Sequence, residues 1–191
     1  MRKVKKAVVL VVCFLLTVFT GCSRSKKAIW ESGVHYEVSN VGSVEKKEFQ
    51  YRVYDQQHNT IDSGCTDDIE PIFYENDGFL RLSLNYGSGA AEYKYYDVSK
   101  GLVSERYNTV LSDRFTQDGV LIAYLSQEDN TVAVAVQDAF DKSVFYKTLT
   151  AEFPMKFSPS TQAEFISDTQ LRITYLTGED NDEKIELFTI R

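Results

Sequence analysis

Three cysteines, three prolines, two histidines and one tryptophan are all that 191 residues contain, and each shortage removes a class of explanation. Cys13 lies in an apolar N-terminal run and Cys22 at its end, so Cys65 alone remains in the body of the chain and no internal disulfide can form there. A lone thiol of this kind is expected as a small buried apolar residue. With His35 and His58 as the only imidazoles, a histidine-based metal site or a Ser-His-Asp triad has little to draw on. A Gly-x-Ser-x-Gly elbow is absent, because Gly87-Ser88-Gly89 has the wrong spacing. Ten glycines and three prolines exclude collagen-like and low-complexity sequence. No motif asks for a cofactor. What the chain does have is 43% hydrophobic residues and twelve each of Tyr and Phe, enough apolar surface for one β-rich domain.

Arg2, Lys3, Lys5 and Lys6 precede Ala7 to Thr20, fourteen residues without a charge. At a 1.5 Å rise they span about 21 Å, short of a hydrocarbon core of about 30 Å, so residues 1–21 read as a cleaved signal rather than a membrane span. Phe19-Thr20-Gly21-Cys22 resembles the bacterial lipoprotein signal. That resemblance implies a lipidated Cys22 as the mature N-terminus and an extracytoplasmic, membrane-anchored address; residues 22–33 read as the tether and 34–191 as a single domain, whose β repeats follow from the pattern below. Removal of residues 1–21 leaves 17 basic against 28 acidic side chains, a formal charge of −11. Such a surface repels nucleic acid and leaves the lipid as the membrane contact.

Beyond His35, short runs of Val, Ile, Leu, Tyr and Phe alternate with Asp, Asn, Gly and Ser, with no sustained helical period. Two signatures recur. The first is an aromatic residue, two more, Asp, and an apolar strand, at Tyr74 to Leu82, Phe115 to Tyr124 and Phe165 to Tyr175; its aspartates, Asp77, Asp118 and Asp168, are 41 and 50 residues apart. The longer step places an insertion within 149–161. The second is a strand ending in Asp55, Asp97 or Asp138, with steps of 42 and 41. An Asp-Gly turn closes a hairpin because Gly accepts positive φ and Asp bonds its own turn.

This spacing predicts an all-β fold of about four antiparallel meander repeats of some 41 residues, propeller-like, the first short of its opening strand and the last ending after its third. Asp118-Gly119-Val120-Leu121-Ile122-Ala123-Tyr124 resembles the Asp-Gly-x-x-Ile-Ala-Tyr core of TolB-like β-propeller repeats. The resemblance implies blades in a small closed ring, an open stack or a combination of chains; a β-sandwich or barrel of duplicated hairpins fits the same spacing.

Two carboxylate sets are candidates for chemistry. Asp55, Asp97 and Asp138 stand at equivalent positions and could gather as a face for a cation or a sugar, or each could cap the turn that follows it. Asp180, Asp182 and Glu183 crowd one hairpin loop in a manner suggestive of calcium, although their spacing is not that of an EF-hand. Tyr51, Tyr54, Tyr93, Tyr95 and Tyr96 are expected mostly in the core, any exposed one serving as an interface anchor. The function expected is a non-enzymatic binding or scaffold module for a protein or glycan. A carboxylate-dependent hydrolase of polysaccharide or lactone, or an accessory or sensor lipoprotein of a transport or signalling complex, are the alternatives.

Overall fold

A computed structural model describes residues 28–87, 89–128, 131–149, 160–178 and 180–191. Among them there is no helix, and the strands form four antiparallel sheets in chain order. The first sheet contains β1 (Ala28–Ser32), β2 (Tyr36–Asn40), β3 (Glu48–Tyr54) and β4 (Thr60–Asp67). The second contains β5 (Pro71–Asn76), β6 (Phe79–Gly87), β7 (Ala90–Asp97) and β8 (Leu102–Val103), with β9 (Tyr107–Asn108) also paired to β7. The third contains β10 (Val110–Phe115), β11 (Val120–Glu128), β12 (Thr131–Asp138) and β13 (Tyr146–Leu149). The fourth contains β14 (Gln162–Ser167), β15 (Gln170–Thr177) and β16 (Asp182–Thr189).

The first sheet corrects the expectation of a missing opening strand. β1 pairs with β2 and lies inside the stretch 22–33 assigned to the tether, so the folded part reaches back to Ala28. Gly33 makes that hairpin, its N–H donating to the Tyr36 carbonyl at 3.0 Å. Among the described residues the last sheet has three strands, β14 to β16. The insertion expected within 149–161 falls mostly outside the described residues, as do Cys22 and the signal 1–21.

The Asp-Gly turns have two different causes. Asp77 and Gly78 both take positive φ (47° and 84°) in the two-residue connection from Asn76 to Phe79, the backbone twist that suits a tight hairpin. Gly119 does not; there the Thr116–Gly119 loop is longer, and a Cβ at Gly119 would stand 2.8 Å from Asp138 Oδ2, so close approach, not backbone freedom, requires the glycine.

Burial follows position in the stack. In β3, alternation sends Phe49, Tyr51 and Val53 inward to meet Phe73, Leu80, Leu82, Leu84 and Tyr96 of the second sheet. Phe79, Tyr95 and Tyr107 leave the other face of that sheet to meet Val120, Ile122 and Ala139 of the third. Leu121, Ala123, Val134 and Val136 then meet Leu171, Ile173, Tyr175 and Ile190 of the fourth. The middle sheets bury both faces, which is why Val120–Tyr124 and Val132–Val136 are continuous apolar runs rather than alternating ones. Among the described residues no core cluster joins the first sheet to the fourth.

Candidate functional site

Each carboxylate of the recurring set accepts hydrogen bonds from the turn that follows it. Asp97 Oδ1 accepts from Ser99 N (3.0 Å), Ser99 Oγ (2.6 Å) and Lys100 N (3.0 Å), while Lys100 Nζ lies 3.1 Å from Oδ2. Asp138 Oδ1 accepts from Phe140 N (2.8 Å) and Asp141 N (3.0 Å). Asp55 accepts from Gln57 N, Asn59 N and the Asn59 amide at 2.8 to 2.9 Å. Burial opposes ionisation of Asp97, but its bonds to Ser99 and Lys100 outweigh it and hold the carboxyl below its ordinary range. The Asn59 amide does the same for the exposed Asp55. One oxygen of each carboxylate is engaged by the backbone N–H groups of the following turn, the arrangement of a turn cap.

Asp182 and Glu183 lie at the start of β16, opposite Thr177 and Leu176, where adjacent strand residues point to opposite faces. Among the described residues no group of three His, Cys, Asp or Glu side chains is arranged to hold a metal ion. His58 sits exposed in a turn with φ of 60°, and Cys65 is exposed on β4, against the expectation of a buried thiol: it faces away from the second sheet, alternating with Gly64 and Thr66. His35 lies 3.9 Å from Glu75 across the first two sheets.

Tyr51, Tyr95 and Tyr96 are core while Tyr54 and Tyr93 are half-buried, and the hydroxyls of Tyr95 and Tyr96 join neighbouring sheets. Tyr96 OH donates to Asp62 Oδ2 at 2.7 Å, and Lys94 Nζ reaches the same oxygen at 2.9 Å, tying β7 to β4. Tyr95 OH donates to Asp113 Oδ2 at 3.1 Å, and Arg81 Nη1 binds both oxygens of that carboxylate at 2.7 and 3.0 Å, tying the second sheet to β10. Burial, and then the carboxylate each one faces, drives both tyrosine hydroxyls far above their usual range. Arg114 and Asp168 form the corresponding pair between the third and fourth sheets. Sequence reasoning missed these pins. Their one signal is a charged residue, Lys94 or Arg81, inside an otherwise aromatic or aliphatic strand, since a charge there requires a partner.

Leu82, Leu84, Glu92, Tyr93, Lys94 and Arg106 line a shallow hollow with room for about 10 Å³, about one water, against the several hundred Å³ of a usual small-molecule pocket. Its charges are mutually engaged: Arg106 lies 3.4 Å from Glu92, Tyr86 OH donates to Glu92 at 2.9 Å, and Lys94 is held by Asp62.

The two outermost faces of the stack differ. On β2 to β4 of the first sheet the outward face carries Arg52 paired to Glu37 at 3.3 Å, beside Ser63 and Cys65. On the fourth, Ile185 and Leu187 stand 60% and 59% exposed, opposite Thr174 and Arg172, and Ile166 is exposed on β14. Contact with another molecule would explain such an apolar strip. Comparison of the chain with protein-family models, with curated proteins and with solved structures finds no match.

Proposed function

We propose that the chain is a membrane-anchored extracytoplasmic lipoprotein whose propeller-like β-repeat domain is a non-enzymatic binding or scaffold module. The observation that carries this reading is the exposed strip of Ile185 and Leu187 on the outward face of the last sheet. An apolar strip rimmed by the Arg172–Glu164 pair suits a protein partner better than a glycan, whose hydroxyls would find few polar groups there. The turn-capping roles of Asp97 and Asp138 weigh against a hydrolase built on them.

The blade reading draws support from one backbone bond that recurs in every sheet. The residue after, or at the end of, the third strand donates to the neighbourhood of the first hairpin: Tyr54 to His35, Val98 to Gly78, Ala139 to Val120 and Ile190 to Thr169, at 2.8 to 3.0 Å. The lipid anchor rests on the resemblance around Cys22.

The test is crosslinking of the full-length, lipidated protein in intact cells, followed by identification of captured proteins by mass and of the lipid on Cys22 in the same data. Capture of a defined partner that is lost in an Ile185→Asp, Leu187→Asp double variant is the expected result. The same partners captured by that variant, or bait alone across growth states, would overturn the assignment of this face.

A further inference from the structure

The fourth sheet stops at β16, and among the described residues no strand pairs with the outer edge of that strand. Which backbone groups face outward follows from two contacts. Ile190 N donates inward to the Thr169 carbonyl at 2.9 Å, so by strand alternation residues 188, 186, 184 and 182 turn their N–H and C=O toward β15. Residues 189, 187, 185 and 183 then turn theirs outward, and the Thr189 carbonyl is found accepting from Lys147 Nζ of β13 at 2.8 Å. Among the described residues the edge is therefore capped at Thr189 and open at Glu183, Ile185 and Leu187.

We propose that β16 pairs antiparallel with β16 of a second copy of this chain, about a two-fold axis through Ile185 that sets Lys184 opposite Glu186. In this register Ile185 faces its own symmetry mate and Glu183 faces Leu187, so the three open positions on each strand bond one another, with about six interchain hydrogen bonds. Thr189 falls outside the ladder, which leaves its bond to Lys147 intact. Lys184 and Glu186, already 2.7 Å apart within one strand, join their counterparts in a ring of alternating charge.

The neighbouring registers that keep faces matched fail on the same grounds. Moving the axis to Glu186 sets two like charges together and demands the carbonyl that Lys147 holds; moving it to Lys184 again sets like charges together and strands Leu187. The charges on this edge thus admit one pairing and reject the alternatives, which answers the hazard of an open edge. The pairing uses the edge of β16, whereas the proposed partner site uses its face, so it goes beyond that reading and stands independently of it. In the dimer two three-stranded sheets become one of six strands, with the Ile185 and Leu187 side chains of both copies on a common face.

The test uses detergent-solubilised full-length protein carrying Cys65→Ser. Under mild oxidation Ile185→Cys gives a disulfide-linked dimer, because directly opposed residues in a bonded pair lie about 5.5 Å apart at Cα, within disulfide reach. Leu187→Cys alone does not, its symmetry mate being about 14 Å away along the strand, but it crosslinks to chains carrying Glu183→Cys. Without crosslinking, Lys184→Glu weakens self-association roughly tenfold in sedimentation, and the charge swap Lys184→Glu with Glu186→Lys restores it. Equal crosslinking from positions 185 and 187, a monomer at all concentrations, or a swap no better than the single change would overturn the proposal. A captured partner that survives Lys184→Glu and is lost with Ile185→Asp, Leu187→Asp separates the fate of the edge from that of the face.

Discussion

Substitution of Asp97 separates a turn cap from a ligand carboxylate. Three of its contacts end on one oxygen, Oδ1: the Ser99 N–H, the Ser99 hydroxyl and the Lys100 N–H. The other oxygen meets only the Lys100 ammonium, whose side chain is 58% exposed, whereas that of Asp97 is 2% exposed. Asp97→Asn keeps an Oδ1 acceptor in place and removes the exposed ion pair, a loss of about 0–1 kcal/mol. Asp97→Ala removes every acceptor. Two backbone donors and a hydroxyl lose a charged partner, but Ser99 and Lys100 are exposed and rehydrate in part, so the cost is about 3 kcal/mol. For a domain of this size that lowers the thermal midpoint by roughly 6–12 °C. Urea unfolding of the wild type and both variants measures the difference. Equal damage from Asn and Ala would show that charge, not acceptor placement, holds the turn, and would refute the reasoning. The sign of the pH dependence adds a check. Because the folded carboxyl lies below its ordinary range, its contribution is fully present above the unfolded value of about 3.9 and is lost as pH falls through the lower folded value. Asp97→Asn flattens that part of the acid limb.

Other substitutions probe the joints between sheets. Asp62→Ala strands the Lys94 ammonium and the Tyr96 hydroxyl in a largely buried gap and costs about 3 kcal/mol in urea unfolding, against about 1 kcal/mol for Tyr96→Phe, which leaves the ion pair in place; equal costs would contradict this ranking. Leu80→Ala, at a fully buried position between the first and second sheets, costs about 2–5 kcal/mol by the same measurement. Gly78→Ala forces a side chain to φ of 84° and costs about 1–2 kcal/mol although its Cβ would have room, 3.8 Å from Val98; a neutral result would show that the turn relaxes.

The sequence reading succeeded where local chemistry settles structure and fell short where distant residues do. Asp55, Asp97 and Asp138 announced strand ends because a short carboxylate after an aromatic or aliphatic strand bonds the next two or three N–H groups, a purely local event. The double-sided burial of Val120–Tyr124 was written as an unbroken apolar run. β1 was missed because Ile29 and Trp30 stand beside the basic stretch Ser23–Lys27, and its hairpin uses Gly33-Val34-His35 instead of Asp-Gly. Each carboxylate of the recurring set bonds its own turn, an arrangement that the local sequence is enough to produce. Pairs such as Lys94 with Asp62 and Arg81 with Asp113 bridge 32 residues, and which acid meets which base depends on how neighbouring sheets lie, information no single window carries. Cys65 is exposed because alternation along β4 aims Gly64, not the thiol, at Tyr51.

The nearest-neighbour build of the core has a mechanical consequence. Each sheet is held by the one before and the one after, and no cluster among the described residues bridges the ends, so load and disorder enter from outside and travel inward one joint at a time. Tension applied on the N-terminal side of Ala28 reaches β1 first, a five-residue edge strand whose ladder with β2 is interrupted by a register shift between Ile29 and Glu31. Peeling that strand breaks its bonds in succession, which takes far less force than shearing them together. The first strand is thus where opening under a pull is expected to begin, while Phe49, Tyr51 and Val53 of β3 keep their seat on the second sheet.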